Sequence, residues 1–168
     1  DKKDAATGKE NSTVGNNTTD KTIVAPIHGT VVPLSQVKDE AFASEALGKG
    51  VAIEPKEGKV YAPADGEIST FFPTGHAIGI TSDAGVEILI HVGMDTVKMN
   101  GDGFTPAKKQ GDRVKKGDLL LEFDMQKIKE AGYPLTTPVI IANTNDYTEV
   151  LPTEAQEVAS GDMLIHIL

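Results

Sequence analysis

The chain has 168 residues, 39% of them hydrophobic, with no cysteine, no tryptophan and a formal net charge of −9. That length and apolar content suit one ordinary core plus an appendage, and the missing cysteine excludes a disulfide scaffold, a thiolate nucleophile, a Cys-ligated zinc and an iron–sulfur cluster. The longest apolar stretches, Ile88 to Ile90 and Val139 to Ala142, are strand-sized, well short of the roughly 18 residues of a membrane span. An acidic balance argues against nucleic acid, whose phosphates require a basic patch.

Residues 1 to 22 consist of Thr, Asn, Gly, Ser and charges, with only Ala5, Ala6 and Val14 apolar, too few to offset the entropy of ordering them. This segment is expected to be a flexible linker. It lacks an apolar signal region and starts at Asp1, so it is expected to join the domain to further polypeptide. Its acidic members Asp1, Asp4, Glu10 and Asp20 cancel Lys2, Lys3, Lys9 and Lys21, so the whole of the −9 falls on residues 23 to 168.

From Ile23 onward the apolar residues come in short period-two bursts fenced by Gly, Pro and Asp. These include Gly29 to Pro33, Val51 to Ile53, Lys59 to Tyr61, Glu67 to Phe72, Ala77 to Ile80 and Val86 to His91, then Leu119 to Phe123, Pro138 to Ala142 and Met163 to Ile167. Such spacing predicts an all-β domain, an antiparallel sandwich or barrel. Helical signal is sparse. Asp124 to Gly132 has a capping Asp and a terminating Gly, and a shorter helical turn is expected within Asp39 to Leu47.

Two internal echoes run through this pattern. Pro26-Ile-His-Gly-Thr-Val31 resembles Pro63-Ala-Asp-Gly-Glu-Ile68, and Gly111-Asp-Arg-Val114 and Gly117-Asp-Leu-Leu120 resemble Gly161-Asp-Met-Leu164. Each sets a Gly-containing turn before an apolar strand. Repeated turn chemistry and duplication of a strand–turn–strand unit both account for them.

Histidine titrates near neutral pH and serves as nucleophile, base or metal ligand, so the four histidines are the candidates for chemistry. His91 ends the strand Gly85 to His91, where alternation sets Leu89 and His91 on one face and Ile88 and Ile90 on the other. Beside Gly93, a backbone carbonyl can hold one ring nitrogen and leave the other unprotonated and outward. His76 follows Thr74 and Gly75 and opens the strand Ala77 to Ile80. The turn from Ser82 to Gly85 makes the two strands antiparallel neighbours, so His76 and His91 are expected to face each other across the ladder, with the Thr74 hydroxyl nearby. His28 falls in an exposed turn, and alternation points His166 away from the apolar face.

With these two histidines in place, the chain resembles the glucose-type IIA domain of the bacterial phosphoenolpyruvate-dependent sugar phosphotransferase system. The signature reads here as Gly85-Val-Glu-Ile-Leu-Ile-His91-Val-Gly-Met-Asp-Thr96-Val97, and the similarity runs over residues 23 to 168 through Ala25 to Val31, Gly48 to Pro55, Ala62 to Gly66, Thr74 to Ile78 and Gly101 to Phe104. The resemblance implies an antiparallel β-sandwich acting as a phosphohistidine carrier. It would accept phosphate from the phosphocarrier HPr on His91 and pass it to a IIB domain, which phosphorylates a sugar entering through a IIC membrane domain. His76 would support the phosphorylated ring and onward transfer, Thr74 would hydrogen-bond within the pair, and the Gly93 carbonyl would orient the active imidazole. A cytoplasmic location, tethered to a membrane permease, goes with that role.

Phosphoryl transfer needs positioning and charge stabilisation rather than covalent machinery, so no bound metal or cofactor is expected. His91 is expected to attack as neutral imidazole, and His76 to take a proton as negative charge arrives. A carrier also needs an accessible face. By family resemblance Phe42, Leu47, Phe72 and Val97 would form an exposed apolar border, with Asp39 and Asp95 attracting a basic partner.

Two other readings use the same residues. The domain could regulate a secondary sugar transporter through phosphorylation at His91. A zinc hydrolase would use both histidines with Asp95 or another carboxylate, but no close His-x-His or His-Glu-x-x-His arrangement occurs.

Overall fold

A computed structural model describes residues 20–168 of the chain. The segment expected to be a linker lies outside the described residues, except for residues 20 to 22. Among the described residues fourteen strands appear in chain order, nine of them at the apolar bursts: β1 (Ile23–Val24), β2 (Gly29–Val32), β3 (Lys49–Pro55), β4 (Lys59–Tyr61), β5 (Gly66–Phe71), β6 (Ala77–Ser82), β7 (Glu87–His91), β8 (Phe104–Pro106), β9 (Arg113–Val114), β10 (Leu119–Phe123), β11 (Thr137–Ile141), β12 (Val150–Pro152), β13 (Glu157–Val158) and β14 (Met163–Ile167). All pairings are antiparallel. No helix among the described residues is long and apolar enough to cross a membrane.

The eight-stranded sheet has the order β9-β5-β6-β7-β11-β3-β2-β13, and two three-stranded sheets have the orders β4-β10-β8 and β12-β14-β1. These orders are palindromic about the β7–β11 pair, and the registers repeat with them. Val114 pairs Gly66 as Val158 pairs Gly29. Leu119 pairs Tyr61 and Leu121 pairs Val60 across a register shift, and Met163 with Val24 and Ile165 with Ile23 repeat that shift. The two Pro-containing echoes even exchange bonds: the Val24 amide donates to the Pro63 carbonyl at 3.1 Å, and the Tyr61 amide to the Pro26 carbonyl at 2.8 Å. An approximate internal twofold therefore underlies those echoes.

The Gly-Asp echoes have both origins. In each, the Asp carboxylate accepts the amide three residues before it, in Asp112 to Lys109, Asp118 to Lys115 and Asp162 to Ala159, and the preceding glycine takes a φ near +93° that a side chain disfavours. Gly117 and Gly161 are twofold mates that lead into β10 and β14. Gly111 uses the same turn chemistry elsewhere, before β9.

Alternation divides the large sheet between two cores. Ile78, Ile80, Ile88, Ile90, Val139 and Ile141 enter the main core with Leu120, Leu121 and Ile128. The other face of the sheet supplies Ala52 and Ile140 to a smaller cluster with Leu34, Val37, Phe42 and Met94, against which Leu89 packs. Both expected helices form, shortened. α1 (Glu40–Ala43) is capped by Asp39, whose Oδ1 accepts the Ala41 amide at 2.9 Å, and it stops before Glu45, which turns left-handed at φ 65°. α2 (Met125–Glu130) is capped by Asp124 through the Lys127 amide and is followed by Gly132 at φ 89°. The small cluster and α1 therefore cover the sheet face to which Leu89 and His91 belong.

Candidate functional site

His91 is the last residue of β7, and its Nδ1 lies 2.8 Å from the Gly93 carbonyl. A carbonyl only accepts, so Nδ1 carries the proton and donates, and the neutral ring keeps its lone pair on Nε2. The carbonyl is aimed by a tight turn. Gly93 takes φ +77°, and a Cβ there would meet Thr96 Cγ2 at 2.5 Å and the Pro134 carbonyl oxygen at 3.0 Å. The Met94 amide donates to that Pro134 oxygen at 3.0 Å, and the fully buried Thr96 hydroxyl donates to the Val92 carbonyl at 2.5 Å. Thr96 and Pro134 thus hold the turn that holds His91. Sequence reasoning gave neither a role; the only signal was the Thr within the signature.

His76 precedes β6 and is 3% exposed. Its ring lies 5.0 Å from that of His91, nearly perpendicular at 82°, and its Nδ1 shares a 2.6 Å hydrogen bond with the Thr74 hydroxyl. The expected hairpin is present, but the register is one residue off: Ala77, not His76, stands opposite His91. The His76 carbonyl accepts the Val92 amide at 2.7 Å instead. Within a pleated strand residue 76 would point to the Ile78 face, away from His91. It lies outside β6, after the turn at Gly75, so its side chain is released from that alternation.

Aromatic rings close the pair from both sides. Phe42 tilts against His91 with centroids 5.2 Å apart, and Phe72 meets His76 edge-on at 5.3 Å. Phe42 is not the exposed border residue expected; it is 4% exposed and belongs to the small core, because α1 lays its apolar face on the sheet. Leu47, Phe72 and Val97 are 44%, 43% and 47% exposed, as are Leu151, Met163 and Leu168 elsewhere on the surface. Leu47 sits in the turn after α1, with its amide donating to the Ala41 carbonyl. Val97 and the buried Thr96 share a 3-10 turn, Thr96–Met99.

Burial pushes the His76 imidazolium down to about 4, with the neighbouring His91 charge adding to the effect. His91 is also lowered, chiefly by burial, against the Gly93 carbonyl bond and the Asp39 and Asp95 carboxylates, which favour the charged ring. Both rings are therefore neutral near pH 7. Before any phosphoryl group arrives His76 is thus a neutral donor–acceptor, the state from which a proton would be taken up as negative charge arrives. His28 lies 3.9 Å from Glu157 on the surface, and His166 points outward from β14, as alternation predicts. Among the described residues no group of three or more His, Asp or Glu side chains is arranged to hold a metal.

An antiparallel β-sandwich presenting two neutral imidazoles on one sheet face defines the class to which comparisons with known proteins give a family. The family model described as "phosphoenolpyruvate-dependent sugar phosphotransferase system, EIIA 1" matches residues 21–147, and the chain belongs to that family. It is 45% identical over 141 residues to the "PTS system glucose-specific EIIA component" of Oceanobacillus iheyensis, covering 84% of this chain and 86% of that one. It is 51% identical over 145 residues to the "PTS system beta-glucoside-specific EIIBCA component" of Halalkalibacterium halodurans, covering 86% of this chain but only 23% of the relative. The chain thus spans under a quarter of the length of that longer relative. Among solved structures, glucose permease IIA from Mycoplasma capricolum superposes with a TM-score of 0.81 at 37% identity, over 86% of this chain and 93% of that one. The β-sandwich is thus the fold of an EIIA component.

Proposed function

We propose that His91 is a phosphoryl carrier: its Nε2 accepts a phosphoryl group from the phosphocarrier HPr and passes it to a IIB domain, which phosphorylates a sugar entering through a membrane-embedded IIC domain. The observation that carries this reading is the hydrogen bond from His91 Nδ1 to the Gly93 carbonyl, which leaves Nε2 as the nucleophilic atom of a fixed, neutral ring. In the transfer, the N–P bond of the donor's phosphohistidine breaks as the His91 Nε2–P bond forms. Little covalent machinery is required beyond alignment and charge stabilisation.

His76 supplies part of that stabilisation. Assigning the Thr74 hydroxyl as donor to Nδ1, with which it shares a hydrogen bond, puts the proton of the neutral His76 ring on Nε2, from which it can be donated to a phosphoryl oxygen on His91. Phe72, Val97 and Leu47 supply exposed apolar contact area for the partner, and Phe42 backs the His91 ring from the core side. Relatives named EIIBCA components support a IIA unit that works beside IIB and IIC units, and so a cytoplasmic position tethered to a permease. Those fused relatives favour the relay over regulation of a secondary transporter.

The test is incubation with phosphoenolpyruvate, enzyme I and HPr, followed by mapping of acid-labile phosphate. Label on His91, lost in His91→Ala, is the expected result. Label on His76, or none, overturns the reading.

A further inference from the structure

The turn that holds His91 rests on Pro134, whose carbonyl accepts the Met94 amide at 3.0 Å and lies where a Cβ on Gly93 would meet it. Pro134 belongs to the segment that enters β11. That strand begins at Thr137, and its second residue, Pro138, has no amide to give to the strands on either side. Side chains fix the entry instead. The fully buried Thr137 donates its hydroxyl to the Leu135 carbonyl at 2.9 Å, and the Thr136 hydroxyl donates to the Glu54 carboxylate. Thr137 is the ladder partner of Ile53, so the bond from Thr136 to Glu54 carries the contact between β11 and β3 one residue beyond the ladder. Alternation sets Glu54 with Ala52 on the small-cluster face of the sheet, the face to which His91 belongs. Among the described residues the half-buried Glu54 side chain has no other hydrogen-bond or ion-pair partner.

Resting on the reading of His91 Nε2 as the phosphoryl acceptor, we propose that Glu54 is a positioning residue for that atom: by holding Thr136 it fixes the approach to β11 and keeps the Pro134 carbonyl against the Gly93 turn. β11 separates β3 from β7, so Glu54 acts at one remove. Each link is a direct contact, from Glu54 to Thr136, from Pro134 to Met94 and to the space beside Gly93, and from the Gly93 carbonyl to His91 Nδ1. The two-state element that these contacts bias is the tautomeric pair of His91. With the Gly93 carbonyl in place the proton stays on Nδ1, and with the carbonyl displaced it divides between the two ring nitrogens. Only the first tautomer offers a lone pair on Nε2. The role requires an acceptor for the Thr136 hydroxyl rather than a charge, and the side-chain oxygen of Gln is also an acceptor.

The full chain is compared with Glu54→Ala, Glu54→Gln, Thr136→Val and the double variant Glu54→Ala/Thr136→Val. Nitrogen-15 shifts of the His91 ring report the tautomer, phosphorylation by phosphoenolpyruvate, enzyme I and HPr reports the rate, and urea unfolding confirms that each variant is folded when measured. Glu54→Ala and Thr136→Val are each expected to slow phosphorylation of His91 by roughly threefold to tenfold and to move the ring shifts toward mixed tautomers. Glu54→Gln is expected to keep the original tautomer and a rate within about twofold of the unaltered chain. The double variant is expected to be no slower than the slower single variant, because the two side chains form one contact. Thr136→Val, which keeps the side-chain shape, carries the same test where Glu54→Ala does not fold. Unaltered nitrogen-15 shifts or an unaltered rate in the single variants, no rescue by Gln, or rate losses that multiply in the double variant overturn the proposal and leave the carrier reading standing. Failure of the unaltered chain to take label on His91 overturns the carrier reading, and the ring shifts, read without phosphate, still decide whether Glu54 holds the tautomer.

Discussion

The His76 and His91 rings meet 5.0 Å apart although Ala77, not His76, is the ladder partner of His91. The contact depends on residue 76 lying just outside its strand, where the turn through Thr74 and Gly75 aims the ring across the end of the hairpin.

That placement separates the roles of the two rings. His76→Gln loses the aligned imidazole N–H, so the variant is expected to accept phosphate on His91 while passing it on roughly a hundredfold more slowly, the scale of losing one aligned donor. Thr74→Val, which removes the hydroxyl hydrogen-bonded to His76 Nδ1, is expected to reproduce the defect in milder form. Single-turnover measurements of each transfer direction distinguish the two steps. Equal loss in both directions in His76→Gln contradicts the assignment.

The depressed His76 pKa also predicts how stability varies with pH. In the unfolded chain the ring binds its proton near 6.5, and in the folded chain only near 4. Between these values the unfolded state holds more protons, so stability is full above about 6.5 and declines as pH falls toward 4. The decline assignable to this ring is roughly 3 kcal/mol. Urea unfolding at several pH values across that window is expected to show the slope, and His76→Gln to flatten it. An unaltered slope in the variant places the proton uptake elsewhere.

Phe42 is both a core residue and a wall of the site. Phe42→Ala is expected to destabilise the fold by about 3–5 kcal/mol, as deletions of buried aromatic rings do. It also admits water to one face of His91. Since burial is the main cause of the lowered His91 pKa, that value is expected to rise toward the ordinary one, which an NMR titration of the folded variant would report.

Gly93 tests the turn that holds the His91 ring. In Gly93→Ala the new methyl clashes with Thr96 and the Pro134 carbonyl, at a φ that L-residues avoid, with an expected cost of about 1–3 kcal/mol. As the carbonyl moves, the Nδ1 bond is lost and phosphorylation slows. The mixed tautomers of the freed ring would appear in nitrogen-15 shifts. A stable variant phosphorylated at the original rate shows that the carbonyl does not govern the tautomer.

Much of this arrangement is legible in the residues because its causes are local. Alternation in Val86 to His91 fixes that Leu89 and His91 share a face, and the structure finds both on the side of the small cluster. Asp39 and Asp124 announce the two helices because a short acceptor side chain before a helical run satisfies its free amides. The Gly-Asp turns are visible for the same reason. The twofold relation is half legible: the echoes are in the sequence, but their equivalence depends on registers between strands far apart in the chain.

The remainder is decided by packing. Phe42 lies in an ordinary acidic helical turn, and nothing local separates a docking residue from a core residue; the laying of α1 on the large sheet buries it. The His76 pKa follows from burial against Phe72 and His91, an environment assembled from several segments. Thr96 and Pro134 meet behind Gly93 only because the chain before β11 returns to that turn. The sequence by itself determined nine of the strands, the caps, the acidic balance and the strand-end histidine, since each depends on neighbours along the chain. Only the tertiary structure decided which atoms are dry, which proton each ring keeps and which carboxylates it feels, because desolvation and charge act through space.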